Sequence, residues 1–230
     1  VSEIPHHMLA AREQIARRFI SGSGIEIGAL ARPLTTAPGT VVRYVDRLPL
    51  EMLRRHYPEL CTSDIIPPDI IDDGEELSAL QDGSLDFVIA NHMLEHCENP
   101  LGAVRNHLRT LRRGGILYYA VPEKTQSFDA QRPTTPFSHL VDDDRCGPQQ
   151  SRFRHFREWA TLINRISGTE EIGVQVRELM EMNYSIHFHV WDEKGFRDFV
   201  RKAYRYLDRK FRVEHLVRND TEMIAVLRKR

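Results

Sequence analysis

Apolar residues recur at helical spacing from about Pro5 to Phe19, where Met8, Leu9, Ile15, Ala16 and Phe19 share a side, and they predict a helix over the entrance or edge of a following sheet. Ser21-Gly22-Ser23-Gly24 ends that helix. Ile25-Glu26-Ile27 and Val41 to Val45 then read as successive buried strands, each delivering a carboxylate, Glu26 or Asp46, near its C-terminal end. A short amphipathic piece from Pro49 to Tyr57 stops at Pro58. In Asp64 to Gly74 the paired prolines Pro67-Pro68 break ladder pairing, so the run predicts a loop holding a short strand, with side chains facing a ligand. Leu85 to Ala90 is the next strand, introduced by the turn Gln81-Asp82-Gly83-Ser84.

Asn99-Pro100 supplies an N-cap and a first-turn proline to a helix carrying Leu101, Val104, Leu108 and Leu111 on one face. Gly114-Gly115 is expected to terminate it and release the strand Ile116 to Val121, stopped by Pro122. Strand-helix-strand alternation of this kind implies an α/β fold with a mostly parallel sheet, whose strand ends form one functional rim. Residues 123–150, interrupted by Pro133, Pro136, Gly147 and Pro148, read as a structureless lid or specificity insertion. Helical periodicity returns at Phe153 to Ile166 and Asp192 to Leu207, with Tyr184 to Trp191 alternating like a strand between them. Phe211 to Val217 and Thr221 to Leu227 predict an antiparallel hairpin. The whole reads as one domain over residues 1–230, preceded by a helical segment over 1–20.

With 230 residues, 41% hydrophobic and 28% charged, the chain can close one substantial core. The formal net charge of -1 gives no global field for a polyanion, which argues against a nucleic-acid partner even though the stretch after Lys194 is locally basic. Cys61, Cys97 and Cys146 show no CxxC spacing, so neither a disulfide framework nor a thiolate zinc site is expected, and a reducing cytoplasm fits. No apolar run approaches the roughly 20 residues of a membrane span.

Glu26-Ile27-Gly28, Val45-Asp46, Asp86-Phe87-Val88-Ile89, Leu94-Glu95-His96 and Leu111-Arg112-Arg113-Gly114-Gly115 occur in an order and spacing that resemble the core of a class I S-adenosylmethionine-dependent methyltransferase, especially the type 11 group acting on small molecules. The resemblance implies a Rossmann-like, seven-stranded sheet with helices on both faces, the C-terminal hairpin resembling the family's reversed last strand. It implies S-adenosyl-L-methionine as cofactor. Gly28 would permit a tight strand-to-helix turn and close approach of the methionyl moiety, with Ala29 and Arg32 following it. Glu26 would order that turn, and Asp46, with Arg47 beside it, would accept the ribose hydroxyls. Asp69, Ile70, Ile71 and Asp72 lie where the adenine is expected, and Asn91, His92 and His96 follow the fourth strand toward the methionyl side or the methyl-transfer opening.

The family's second and third glycines are replaced in Gly28-Ala29-Leu30-Ala31. A pyrophosphate would suffer most from that loss, which disfavours an NAD-dependent oxidoreductase, whereas a sulfonium cofactor carries no phosphate. The implied reaction is methylation of an oxygen on a small natural product such as a polyketide, or on a sugar, with nitrogen or carbon as the alternative acceptor. An inactive cofactor-binding protein would bind cofactor stoichiometrically without turnover, and an RNA methyltransferase would need a continuous basic groove.

A general base for an alcohol acceptor is expected in the upper layer, with His139 first and His92 at the opening. Glu123, Lys124, Phe128, Arg132, His155 and His187 are the accompanying acceptor-side candidates, and His189 shares a strand face with His187. Trp159, Trp191 and Tyr184 read either as a substrate wall or as core. No metal is expected: the His92/His96 pair has no specified third ligand, and Asp142-Asp143-Asp144 reads equally as an oxygen-rich site or a solvated acidic turn. Exposed edges or the N-terminal helix leave room for a homodimer.

Overall fold

The computed structural model describes residues 5–60 and 64–230. Among these residues seven strands form one sheet: β1 (Ser23–Ile27), β2 (Val41–Asp46), β3 (Ile70–Ile71), β4 (Leu85–Asn91), β5 (Leu111–Pro122), β6 (Phe211–Asn219) and β7 (Glu222–Lys229). Their order is β3-β2-β1-β4-β5-β7-β6. β1 to β5 run parallel, and β7 enters antiparallel between β5 and β6. The helices are α1 (His6–Phe19), α2 (Leu50–His56), α3 (Pro100–Thr110), α4 (Phe137–Cys146), α5 (Gln149–Leu162), α6 (Thr169–Glu181) and α7 (Glu193–Tyr206).

Central strands are covered on both faces, which is why they read as continuous apolar runs. Val88 and Ala90 of β4 face a core completed by α3 and α7, while Phe87 and Ile89 face the opposite layer with Ala16 and Ile20 at the end of α1 and Leu34 of the β1–β2 connection. A satellite core of Phe156, Ala160, Val176, Leu179, Ile186 and Phe188 joins α5 and α6. The expected α3 cap is present: Asn99 accepts the Gly102 N–H at 2.9 Å, with Pro100 in the first turn. β1 and β4 approach so closely that a Cβ at Gly24 would sit 2.3 Å from the Phe87 carbonyl oxygen. Gly24→Ala is therefore expected to cost about 1–3 kcal/mol, read as a lower urea midpoint with unchanged slope.

Several sequence expectations are corrected. No helix follows Gly28; residues 28–40 form an irregular connection, because Pro33 and Pro38 remove donors a helix would need. α3 stops at Thr110, ahead of Gly114-Gly115, which lie inside β5. The pairing passes from Leu85–Leu111 to Phe87–Ile116, so the glycines ride a bulge, Gly114 at φ +82°. Residues 123–150 are not structureless: they hold two single turns, α4 and the start of α5. α6 was not anticipated. Tyr184 to Trp191 forms no strand; its one sheet-like contact is an isolated bridge from Trp191 to Glu123. Cys97 and Cys146 are free, Cys61 lies outside the described residues, and among the described residues no helix is long and apolar enough to cross a membrane.

Candidate functional site

The C-terminal ends of β1, β2, β3 and β4 converge on one rim. Gly28 leaves β1 at φ +65°, donating its N–H to the Val45 carbonyl at 2.9 Å, and a Cβ placed on it would meet nothing within 4 Å. The backbone there borders open space. Glu26, buried one turn of strand earlier, accepts the Leu34 N–H with both carboxylate oxygens at 3.0 Å and Asn91 Nδ2 at 3.3 Å. It thereby shapes the connection that replaces the expected helix. Ala29 and Arg32 close a turn in that connection, Arg32 N–H donating to the Ala29 carbonyl at 2.9 Å.

Asp46 ends β2 half-buried beside this space. Burial pushes its carboxyl up, against backbone donors from Leu48 and Arg47. Arg47 extends outward toward His56. Asp69 is committed elsewhere, since its carboxylate accepts the Tyr44 N–H at 2.7 Å along the sheet edge. Ile70 packs partly on the core, Ile71 is exposed, and Asp72 donates its N–H to the Asp46 carbonyl while its carboxylate fixes the Asp73 and Ala79 amides.

Past β4, Asn91 points Nδ2 at Glu26 and leaves Oδ1 buried without a partner. His92 follows at φ +50°, a left-handed turn that is costly for a side chain and common at functional positions. Its Nε2 lies 2.9 Å from both Glu222 Oε2 and Arg12 Nη2, while its Nδ1 is 3.7 Å from Glu95. Arg12 belongs to α1, so the N-terminal helix is tied across the rim. Beside it a cleft of about 590 Å³ opens between α1 and the connection, lined by Arg12, Glu13, Arg32 and Leu34 among others.

Beyond β4, His96 Nδ1 meets the Ile186 carbonyl at 2.9 Å, and its ring lies edge-on to His187 at 4.6 Å. Burial, aided by the neighbouring His187, lowers the His96 pKa to about 3. His187 Nδ1 is 2.6 Å from Asp129, whose other oxygen is held by Arg132 at 2.8 Å; Arg132 also reaches Glu158. Phe128 is exposed and packs against both His187 and Trp159. Lys124 turns inward to the Ala130 carbonyl, and Glu123 is buried against Thr125. Trp191 is core, whereas Tyr184 is exposed.

Residues 22–119 match the protein family described as Methyltransferase domain. No curated protein matches the chain. Among solved structures, a chain from the complex between the Haloferax volcanii Trm112 methyltransferase activator and its methyltransferase is similar at 14% identity and TM-score 0.51, over 97% of this chain and 90% of that one. A structure described as an S-adenosyl-L-methionine-dependent methyltransferase of Methanococcus maripaludis is similar at 16% identity and TM-score 0.50, over 97% and 84% of the two chains. The sheet order and these likenesses show a Rossmann-like α/β fold of the class I methyltransferase architecture.

The rim offers groups of the kinds that a sulfonium cofactor carrying a ribose and an ammonium would need. Gly28 leaves room for close backbone approach, Asp46 is a carboxylate of the type that accepts paired ribose hydroxyls, and the unpartnered Asn91 Oδ1 can receive a donor such as an ammonium. Sequence reasoning missed Arg12, Glu222 and Asp129. Arg12 and Glu222 are separated by 210 positions, so no local pattern signals their pairing. His139 and His155 pair with each other, Nε2 to Nε2 at 2.9 Å, near His189. The Asp142-Asp143-Asp144 run is helical and diverges: Asp142 is exposed, Asp143 faces those histidines, and Asp144 binds Arg105, Asn99 and Tyr206.

Burial pushes the Glu26 carboxyl up to about 7 despite its hydrogen bonds from Leu34 and Asn91. A carboxyl raised by folding contributes stability in its protonated form, fully present below its unfolded value near ~4.3 and lost as pH rises through about 7. Glu26→Gln is expected to flatten the decline of stability across that window, followed by urea unfolding of the ligand-free protein. Glu75, also pushed up to about 7 by burial, leaves a residual slope.

Proposed function

We propose that this chain transfers the methyl group of S-adenosyl-L-methionine to an oxygen of a small natural product or sugar, releasing S-adenosylhomocysteine. The observation carrying the reading is Asp46 at the end of β2 beside the open space over Gly28, on the rim of this sheet. When bound, the cofactor supplies an electrophilic methyl on a sulfonium centre. Asp46 accepts the ribose hydroxyls, and Glu26 holds the connection in a shape that leaves the Gly28 backbone accessible.

An alcohol acceptor needs a proton acceptor aligned with it. Both ring nitrogens of His139 are engaged, by His155 and Arg154, so this reading uses His92 and His187. His187 donates Nδ1–H to Asp129 and keeps Nε2 for the acceptor proton; His92 stands half-open between two buried carboxylates. Phe128 and Trp159 supply an apolar surface for the acceptor's carbon frame.

Calorimetric titration with S-adenosyl-L-methionine and, separately, NAD tests the cofactor. Selective near-stoichiometric sulfonium binding is expected, and selective NAD binding would overturn the reading in favour of hydride transfer. Labelled-methyl transfer to panels of alcohols, phenols and amines then tests the acceptor atom; product confined to amines moves the reaction to nitrogen, and tight binding without any product makes the chain a cofactor-binding protein.

A further inference from the structure

The segment 186–190 crosses the end of β4, where the Phe188 and His189 N–H groups both donate to the Glu95 carbonyl, at 2.8 and 3.2 Å. This places His189, fully buried, against His139 and Asp143 of α4 and His155 of α5. One donor atom from each of the four lies within 4.8 Å of all the others. His139 Nε2 is 2.9 Å from His155 Nε2 and 3.2 Å from Asp143 Oδ2, and that oxygen is 3.7 Å from His189 Nε2. A tetrahedral zinc ion with nitrogen and oxygen donors at about 2.0–2.1 Å sets those donors roughly 3.3 Å apart, so the side chains are already close to that polyhedron.

One buried atom of the set, Asp143 Oδ2, has no hydrogen-bond partner. Folding normally avoids such orphans unless something else satisfies them. Asp143 Oδ1 is held by Ser151 Oγ at 2.6 Å, which orients the carboxylate in the way outer-shell groups orient metal ligands. His189 Nε2 also lies 3.4 Å from the Glu98 carbonyl. Arg154, exposed, contacts His139 Nδ1 at 2.9 Å and is free to swing into water when that nitrogen takes the ring proton.

We propose that His139, Asp143, His155 and His189 bind one zinc-class divalent ion and so fasten α4, α5 and the 186–190 segment together. Three imidazoles and one carboxylate suit zinc or its late first-row neighbours rather than magnesium or calcium. Four protein donors leave no open coordination position, which makes the ion structural.

Untagged, chelator-stripped protein should take up one equivalent of cobalt(II) with the intense visible bands of a tetrahedral centre, and zinc should displace it and raise the unfolding midpoint. Asp143→Asn and His155→Gln should lose the bands, while His187→Asn, which alters the neighbouring Glu95, His96 and His187 group, should keep them. Absence of cobalt uptake by wild-type protein with native circular dichroism overturns the proposal, as does binding lost in His187→Asn but retained in Asp143→Asn and His155→Gln. X-ray absorption of the zinc-loaded wild type reads the donor set independently of any variant's folding: nitrogen and oxygen donors numbering about four are expected, and a sulfur donor overturns the assignment.

Discussion

Replacing Glu222 with glutamine is expected to cost about 3–5 kcal/mol of stability near neutral pH, the loss typical when one member of a buried ion pair is removed. Glu222 is inaccessible, and its oxygens receive Arg12 Nε at 2.8 Å, Arg12 Nη2, and Asn219 Nδ2 at 2.7 Å, with His92 Nε2 at 2.9 Å. Glutamine keeps the shape, but it leaves the nearly inaccessible Arg12 guanidinium without a counter-charge. Burial alone would raise the Glu222 pKa; the Arg12 and His92 hydrogen bonds overcome it and hold the group at about 2. A carboxyl depressed by folding contributes stability that is present above its unfolded value, ~4.3, and disappears as pH falls through the folded one. The gap between wild type and variant in urea unfolding should therefore be wide at pH 7 and narrow toward pH 2. Equal midpoints at pH 7 would remove this pair from the list of features that hold α1 to the sheet.

Asp46→Ala is expected to weaken S-adenosyl-L-methionine binding by about 30- to 150-fold, or about 2–3 kcal/mol, the value of hydroxyl hydrogen bonds to a charged acceptor. Among the described residues its carboxylate takes backbone hydrogen bonds from Leu48, at 3.3 Å, and Arg47, with the Arg47 and His56 charges nearby, so the melting temperature of the ligand-free variant should change little. Affinity falling without a fall in stability separates a ligand contact from a structural one. Unchanged affinity in calorimetry would move the ribose away from β2 and with it the basis of the proposed function.

Most of the sheet was legible because its strands alternate between two apolar layers and its helices carry local signals such as the Asn99-Pro100 cap. The Tyr184 to Trp191 segment misled for a related reason: periodicity reports burial, and here Ile186 to Trp191 are buried against α5, α6 and the main core without a ladder partner. α6 did leave a trace, with Ile172, Val176, Leu179 and Met180 at helical spacing behind acidic Glu170-Glu171. At the rim, Glu26, Gly28 and Asp46 stood out because they end strands, and the structure brings them together. Arg12, Glu222 and Asp129 acquire partners only through tertiary contacts, and the four-residue set around Asp143 is assembled from two helices and a distant extended segment. Nothing in adjacent sequence encodes such meetings.

The Arg12–Glu222 contact joins α1 to β7, and β7 sits inside the sheet rather than at its margin. A chain emerging from the ribosome can pair β1 through β5 early, but Arg12 lacks Glu222 and β5 keeps an open edge until β7 is made. Such a high-separation closure is entropically late and exposes an unpaired strand edge while it waits. The rim is thus finished by β7, and a product truncated before Glu222 carries Glu26, Gly28 and Asp46 yet has neither the clasp on α1 nor a protected sheet.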